Sequence, residues 1–218
     1  MAIQYGNLGR IYFMRGELDR AEKKIKKALA IEEKLGRQEG MADQSGNLAN
    51  IYRTRGELNR AEEMHKKSLA INERLGCQEG MAIQYGNLGR IYFMRGELDR
   101  AEMTIKKALA IDEKLGRQEG MAIQSGNLGN VYETRGELDR AEEMHKKALA
   151  IDEKLGRQEG MASCYSDLGL TYQIRGELDR AEEMYQKALA LFKAVGAAPQ
   201  VKQVQALLDS LKEAGAER

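Results

Sequence analysis

Apolar and polar positions follow a helical period along this chain, and glycine interrupts it at Gly16, Gly36, Gly56, Gly76 and onward at the same interval. Tyr5, Leu8, Gly9 and Tyr12 recur at i, i+3, i+4 and i+7, which gathers them on one face of a helix. Gly16 ends that helix, because glycine accepts the left-handed backbone that closes a helical turn. A second stripe runs through Leu18, Ala21, Ile25, Ala28, Leu29 and Leu35 and stops at Gly36. Glu17 and Asp19 place negative charge at its start, against the positive end of the helix dipole. At ~1.5 Å per residue this second helix spans about 27 Å. The link "GRQEG" is short, so the helices it joins are expected to be antiparallel neighbours.

The helix pair is repeated. Methionine opens matching segments at Met1, Met41, Met81, Met121 and Met161, dividing the chain into five units at 1–40, 41–80, 81–120, 121–160 and 161–198. A repeat of that length predicts a solenoid, in which each unit buries its apolar stripe only against the next. The first and third units differ only at Lys23 and Met103, Lys24 and Thr104, and Glu32 and Asp112. The second and fourth share Ser45 with Ser125, Thr54 with Thr134 and His65 with His145, the mark of a duplicated 80-residue pair. Beyond the fifth unit, Pro199 suits a first helical turn, and Val201, Val204, Leu208 and Leu211 continue an apolar stripe. A capping helix is expected at 199–214, followed by a tail at 215–218. Met1 enters in repeat phase without the lead-in of the later units, so the chain is expected either to belong to a longer array or to meet another protein at that end.

Composition narrows the function classes. One proline, no tryptophan and three phenylalanines among 218 residues suit an all-α chain. Lys and Arg number 35 against 34 Asp and Glu, so no charge excess attracts nucleic acid or an anionic membrane. Cys77 and Cys164 lack metal-type spacing and read as incidental thiols of a reduced protein. The sequence has neither an apolar run of ~20 residues nor a signal layout at its start, and a cytoplasmic location is expected. His65 and His145 occupy equivalent helix positions two units apart, about 10 Å per packed helix layer, too far to share a metal. No nucleophile, base and orienting group recur together, and "GNLG" sits inside a helix without phosphate-loop spacing, so neither an enzyme nor a cofactor is expected.

Leu8, Gly9, Tyr12, Gly16, Ala21, Ala28 and Leu29, with Tyr5 at the usual aromatic position, resemble the signature of the tetratricopeptide repeat, and the likeness covers all five units. The common form is about 34 residues long. This longer version lacks the proline that normally ends the second helix. It resembles the long repeats of the Pins family of spindle-orientation scaffolds, whose Leu-Gly-Asn tripeptide stands here at Leu128, Gly129 and Asn130, and those of kinesin light chains. The resemblance implies a right-handed superhelical solenoid of antiparallel helix pairs whose first helices line a concave groove.

On those first helices Ile3, Asn7, Arg10 and Met14 form a second face, with Gly6 and Phe13 at its margin. The resemblance makes this the ligand face. Three of its slots change chemistry between units: Arg10, Asn50, Arg90, Asn130 and Leu170; Phe13, Arg53, Phe93, Glu133 and Gln173; Met14, Thr54, Met94, Thr134 and Ile174. Exposed positions also drift freely after duplication, and position 5 alternates between Tyr and Ser although it reads as core. A fourth slot is steady, with Asn7, Asn47, Asn87 and Asn127, and Asp167 in the last unit. An amide both donates and accepts, so such a row can pair with a peptide main chain, as related long-repeat proteins are understood to do; each Asn can instead bond only its neighbouring helices. Arg10, Arg53 and Arg90 favour an acidic ligand over the first three units, beside Asp43, whereas Glu133 and Asp167 fall in the last two. Phe13, Met14, Phe93 and Met94 suit apolar anchors. Gly6, Gly46, Gly86 and Gly126 lie inside helices at a cost of about 0.5 to 1 kcal/mol each, which suggests close approach there. The expected function is a scaffold that binds an extended or partly helical peptide of a partner protein. The alternative is an array that self-associates through its first end or its groove into a homo-oligomer.

Overall fold

The computed structural model describes residues 1–216, with side chains to Leu211. Every element among them is a helix: α1 Ala2–Met14, α2 Leu18–Lys34, α3 Gln38–Thr54, α4 Leu58–Leu75, α5 Gln78–Met94, α6 Leu98–Leu115, α7 Gln118–Thr134, α8 Leu138–Leu155, α9 Gln158–Arg175, α10 Leu178–Ala194 and α11 Ala198–Ala216. The helices gather into two compact units, Met1–Ile111 and Asp112–Arg218. In the first, each of α1 to α4 packs on its successor; in the second, each of α7 to α10 does. This is the all-α, stacked-pair architecture that the period implied. Residues 217 and 218, part of the expected tail, lie outside the described residues.

Glycine ends the helices as expected. Gly16 has φ +74°, its N–H bonds to Phe13 O at 2.9 Å, and the N–H of Glu17 reaches back to Tyr12 O at 2.9 Å. That pair of bonds satisfies carbonyls which the helix end leaves open. The link between pairs is shorter than expected. Gln38 is already helical, so only Leu35, Gly36 and Arg37 separate α2 from α3, and Gly40 lies within a helix. A Cβ on Gly40 would strike the carboxylate of Glu32, and Gly80, Gly120 and Gly160 face Asn72, Asp112 and Asp152 in the same way. These four polar side chains are buried, a feature that periodicity did not expose. The Cys164 thiol donates to Asp152 Oδ2 at 3.8 Å, and Arg157 pairs with Asp152 Oδ1 at 3.0 Å.

The slot of Gly9 is small because the paired helix fills it. A Cβ there would meet Ile25, and in the same manner Gly89 faces Ile105, Gly129 faces His145 and Gly169 faces Tyr185. Position 5 is core where it holds serine and only half-buried where it holds tyrosine: Ser45 and Ser125 are fully buried. Tyr5 is half-buried, with Lys24 Nζ 5.4 Å from its ring centroid, and Tyr85 donates its hydroxyl to Glu73 at 3.1 Å on the exposed side. Position 11 is a further buried place, occupied by Ile51, Ile91, Val131 and Thr171, although Ile11 of the first pair is exposed. In the second unit the stack continues into α11, where Val204, Leu208 and Leu211 join Leu168, Tyr172, Tyr185 and Phe192 in one apolar cluster.

The segment "RGELDRAE" does more than cap helices. Glu22 on α2 accepts from the Tyr52 hydroxyl of α3 at 3.0 Å and pairs with Arg55 and Lys26. The Arg60 guanidinium stacks 3.8 Å from the Tyr52 ring centroid. Glu62 with Tyr92 and Arg95, and Glu142 with Tyr172 and Arg175, repeat the arrangement. Burial alone would raise these carboxyls, but the hydrogen bonds from lysine, arginine and tyrosine outweigh it and hold each at about 2. Their ionised form therefore stabilises the fold fully above pH ~4.5, and the contribution is lost as pH falls toward ~2.

Glu62→Gln is expected to lower the unfolding free energy at pH 7 by about 1–3 kcal/mol, and by much less near pH 2, measured by urea denaturation at both pH values. A Cβ on Gly126 meets no atom within 4 Å, whereas one on Gly160 strikes the buried Asp152 carboxyl. Gly126→Ala is thus expected to stabilise by about 0.5–1 kcal/mol through helix propensity, and Gly160→Ala to destabilise by about 1–3 kcal/mol, read from the same denaturation curves.

Candidate functional site

The odd-numbered helices α1, α3 and α5 carry the residues that the sequence assigned to a ligand face. In the first unit they border a groove of about 530 Å³. Asn7, Arg10, Asp43, Gln44, Asn47, Asn50, Gln84 and Asn87 line it, so three amides of the steady slot meet in one concavity. Asn47 donates to Gln44 Oε1 at a long 3.5 Å; Asn7 and Asn87 make no side-chain hydrogen bond among the described residues. Their donors and acceptors therefore remain available to a ligand. A second hollow of about 340 Å³, lined by Arg10, Phe13, Met14, Asn47, Asn50 and Ile51 among others, opens beside it. Met14 is 84 % exposed and Phe13 half-buried. Arg90, half-buried Phe93 and Met94 stand on α5 and do not line either hollow.

Electrostatics set Arg53 apart. It is half-buried, its Nε has no hydrogen-bond partner, and both burial and the neighbouring Arg90 lower its pKa. An uncompensated cation in that position favours an anion. Asp43, which lines the groove, is raised by burial and by Glu39, with Arg10 opposing.

The sequence reading overlooked the glutamines and the floor of the groove. His65 of α4 is fully buried, with Nδ1 2.8 Å from Gln84 Oε1, and burial pushes it down to about 4. Ser68 donates to Ala42 O at 2.9 Å and Asn72 to Ser68 O at 3.0 Å, both from α4. The available signal was the recurrence of Gln at position 4 in every unit but the last. Gly6 also finds its reason here: its missing Cβ would lie 3.1 Å from the Gln44 amide. Gly126 has no such neighbour, so close approach accounts for only part of that slot.

In the second unit the same helix face, on α7 and α9, bears Asn127, Asn130, Glu133 and Asp167. Asn127 donates to Gln124 Oε1 at 3.3 Å, and Asn130 is half-buried. Thr171 donates to Glu133 Oε2 at 2.8 Å. Burial raises Glu133; burial and then the charge of Glu133 push Asp167 up to about 7. Among the described residues no group of three or more His, Cys, Asp or Glu could hold a metal ion, and no helix is long and apolar enough to cross a membrane.

The tetratricopeptide repeat model matches residues 1–74, 41–114 and 119–194, most of the chain. The chain belongs to the tetratricopeptide repeat family. Among solved structures this tetratricopeptide repeat protein is similar to BtubC (BKLC) from P. vanneervenii, at 25 % identity and TM-score 0.75, covering 88 % of this chain and 80 % of that one. It is also similar to the nearly identical, kinesin light chain-like TPR repeats of a Podosopora anserina protein, at 24 % identity and TM-score 0.67, covering 88 % and 95 %. Aspartyl phosphate phosphatase F from Bacillus subtilis shares the fold at TM-score 0.81 and 15 % identity, over 92 % of this chain and 53 % of that one. No curated protein matches the sequence.

Because Asp167 and Glu133 titrate above their ordinary range, the folded chain holds more protons than the unfolded one between pH ~4 and ~7. Their contribution to stability therefore falls as pH rises through that window. Asp167→Asn, which installs the residue of the other four units, is expected to flatten this fall and to stabilise by about 1 kcal/mol above pH 7, a value reduced from the full shift because 35 % of the side chain meets solvent. Thermal midpoints of both proteins at pH 5 and pH 8 check it.

Proposed function

We propose that this chain, a protein-interaction scaffold as a tetratricopeptide repeat protein, takes as its ligand an extended or partly helical peptide segment of a partner protein, held without chemical change in the groove of the odd-numbered helices. Asn7, Asn47 and Asn87 would grip the peptide main chain, whose N–H and C=O groups match an amide whatever the side chains. Arg10, Arg53 and Arg90 would accept acidic side chains, and Phe13 and Met14, with Phe93 and Met94 on α5, would take apolar ones. Asn127, Asn130 and Asp167 are the corresponding contacts of the second unit. The observation that carries this reading is the convergence of three steady-slot amides on one groove, two of them without a hydrogen-bond partner. A scaffold that only stacked its repeats would have no use for amides left open in a concavity.

The double variant Asn47→Ala with Asn87→Ala is expected to weaken capture of peptides selected from a random library by about tenfold, each lost bond being worth ~0.5–1.5 kcal/mol, while the circular dichroism spectrum stays the same. Unchanged capture would overturn the main-chain role. Light scattering across a concentration series provides the counter-test: a size that grows with concentration, together with no selectable peptide, would favour self-association.

A further inference from the structure

The 80-residue duplication places two equivalent niches in the chain, one in each unit, and their charge is inverted. His65 and His145 form the floors, both fully buried. Arg53 lies near His65 with Arg90 beside it, and Asn87 is the register equivalent of Asp167; the counterparts of Arg53, Asn87 and Arg90 are Glu133, Asp167 and Leu170. The partner of His65, Gln84, is replaced by Cys164, whose thiol turns to Asp152 instead. His145 consequently has no hydrogen bond at either ring nitrogen, and its Nδ1 points to Asp167 Oδ2 from 3.9 Å, beyond bonding distance.

Three observations leave the second niche open to a cation. Neither Glu133 nor Asp167 has a lysine or arginine partner among the described residues, although both are partly buried. Thr171 Oγ1 lies 2.8 Å from Glu133 Oε2 and 3.0 Å from Asp167 O, yet its single hydroxyl hydrogen serves only one acceptor. The titratable neighbours from the surrounding helices are His145 on α8, Cys164 on α9 and Tyr185 on α10, and burial keeps all three uncharged at neutral pH. A hard metal ion needs six or more oxygen ligands, and no third acid stands with the pair. The opening on the helix face, through which Asp167 meets solvent, suits a long side chain that carries its charge at the tip.

We propose that Glu133 and Asp167 form a receptor for a basic side chain, arginine or lysine, of a bound peptide. The proposal rests on the peptide-binding reading above and adds to it the charge of the ligand at the second unit. Once the cation sits between them both carboxylates ionise, which their mutual repulsion and burial now oppose. The ionised Asp167 then offers His145 Nδ1–H an acceptor that it lacks. The first niche, with Arg53 and Arg90, rejects such a side chain, so the two units discriminate ligands by opposite charge.

The test is a titration of the full-length chain with Nα-acetyl-arginine amide and with its uncharged citrulline counterpart, following the side-chain carboxyl carbons of Glu133 and Asp167 by NMR. The arginine probe is expected to move both resonances saturably and to lower the midpoint of Asp167 by about one pH unit or more; citrulline is expected to do neither. Asp167→Asn and Glu133→Gln should each weaken the arginine response at least about fivefold. Asp167→Asn restores the residue of the other repeats, and the dispersion of its amide spectrum reports the retained fold. Equal responses to the two probes, or an arginine response that survives both substitutions, would overturn the proposal. The probe has no extended main chain, so its outcome is separate from that of Asn47→Ala with Asn87→Ala.

Discussion

The stack depends on one buried-edge interaction, the carboxylate of a pair's second helix held by the first helix of the next pair. Glu22 receives the Tyr52 hydroxyl and the Arg55 guanidinium from α3, while Lys26 closes it from its own helix and Arg60 covers the tyrosine ring. A tetratricopeptide pair cannot bury its stripe alone, so stability resides at the boundaries between pairs. At three of these boundaries a partly buried, multiply bonded carboxylate, Glu22, Glu62 or Glu142, gives direction to that burial: apolar contacts alone would tolerate sliding, but a tyrosine and an arginine aimed at one acid fix the register. The near-constancy of "RGELDRAE" in all five units follows from this geometry more than from helix capping, because most of its charged residues bond across to another helix.

With the boundaries latched, the odd-numbered helices of a unit are free to differ on the face turned away from their partners. The small residue at position 9 lets each pair approach closely, and a large side chain of the second helix fills the space: Ile25, Ile105, His145 or Tyr185. That choice is linked to the groove. Where the filler is histidine, its ring reaches toward the ligand face and needs a polar neighbour there, which Gln84 supplies to His65. The core and the candidate groove therefore share residues, and its floor is as variable as its walls. Charge follows the same logic, with arginines in one niche and carboxylates in the other.

Much of the fold was legible in the sequence. Glycine at every helix end, the two apolar stripes per unit and the steady asparagines are local or periodic features, and each depends on backbone geometry that any copy of the repeat must satisfy. Position 5 was only half legible, because helical spacing assigns a residue to a face without saying how deep it sits: Ser45 and Ser125 are enclosed there, while the larger Tyr5 reaches the edge. The buried acids at Glu32, Asp112 and Asp152 were hidden for a related reason: a charged residue reads as surface until the space left by a glycine of the next helix is seen opposite it.

What the sequence determined by itself was the architecture and the candidate ligand face, since a period of 3.6 within a period of 40 leaves little else for an apolar stripe to do. What only the tertiary structure decided was which of those face residues share a cavity and which polar groups remain unsatisfied. Asn7, Asn47 and Asn87 are spaced 40 residues apart and meet in one groove only because the intervening helices return the chain. The unpartnered state of His145 is likewise not written at His145. It arises from the replacement at Cys164 on another helix, and hydrogen-bond satisfaction is a property of the assembled neighbours and never of a residue alone.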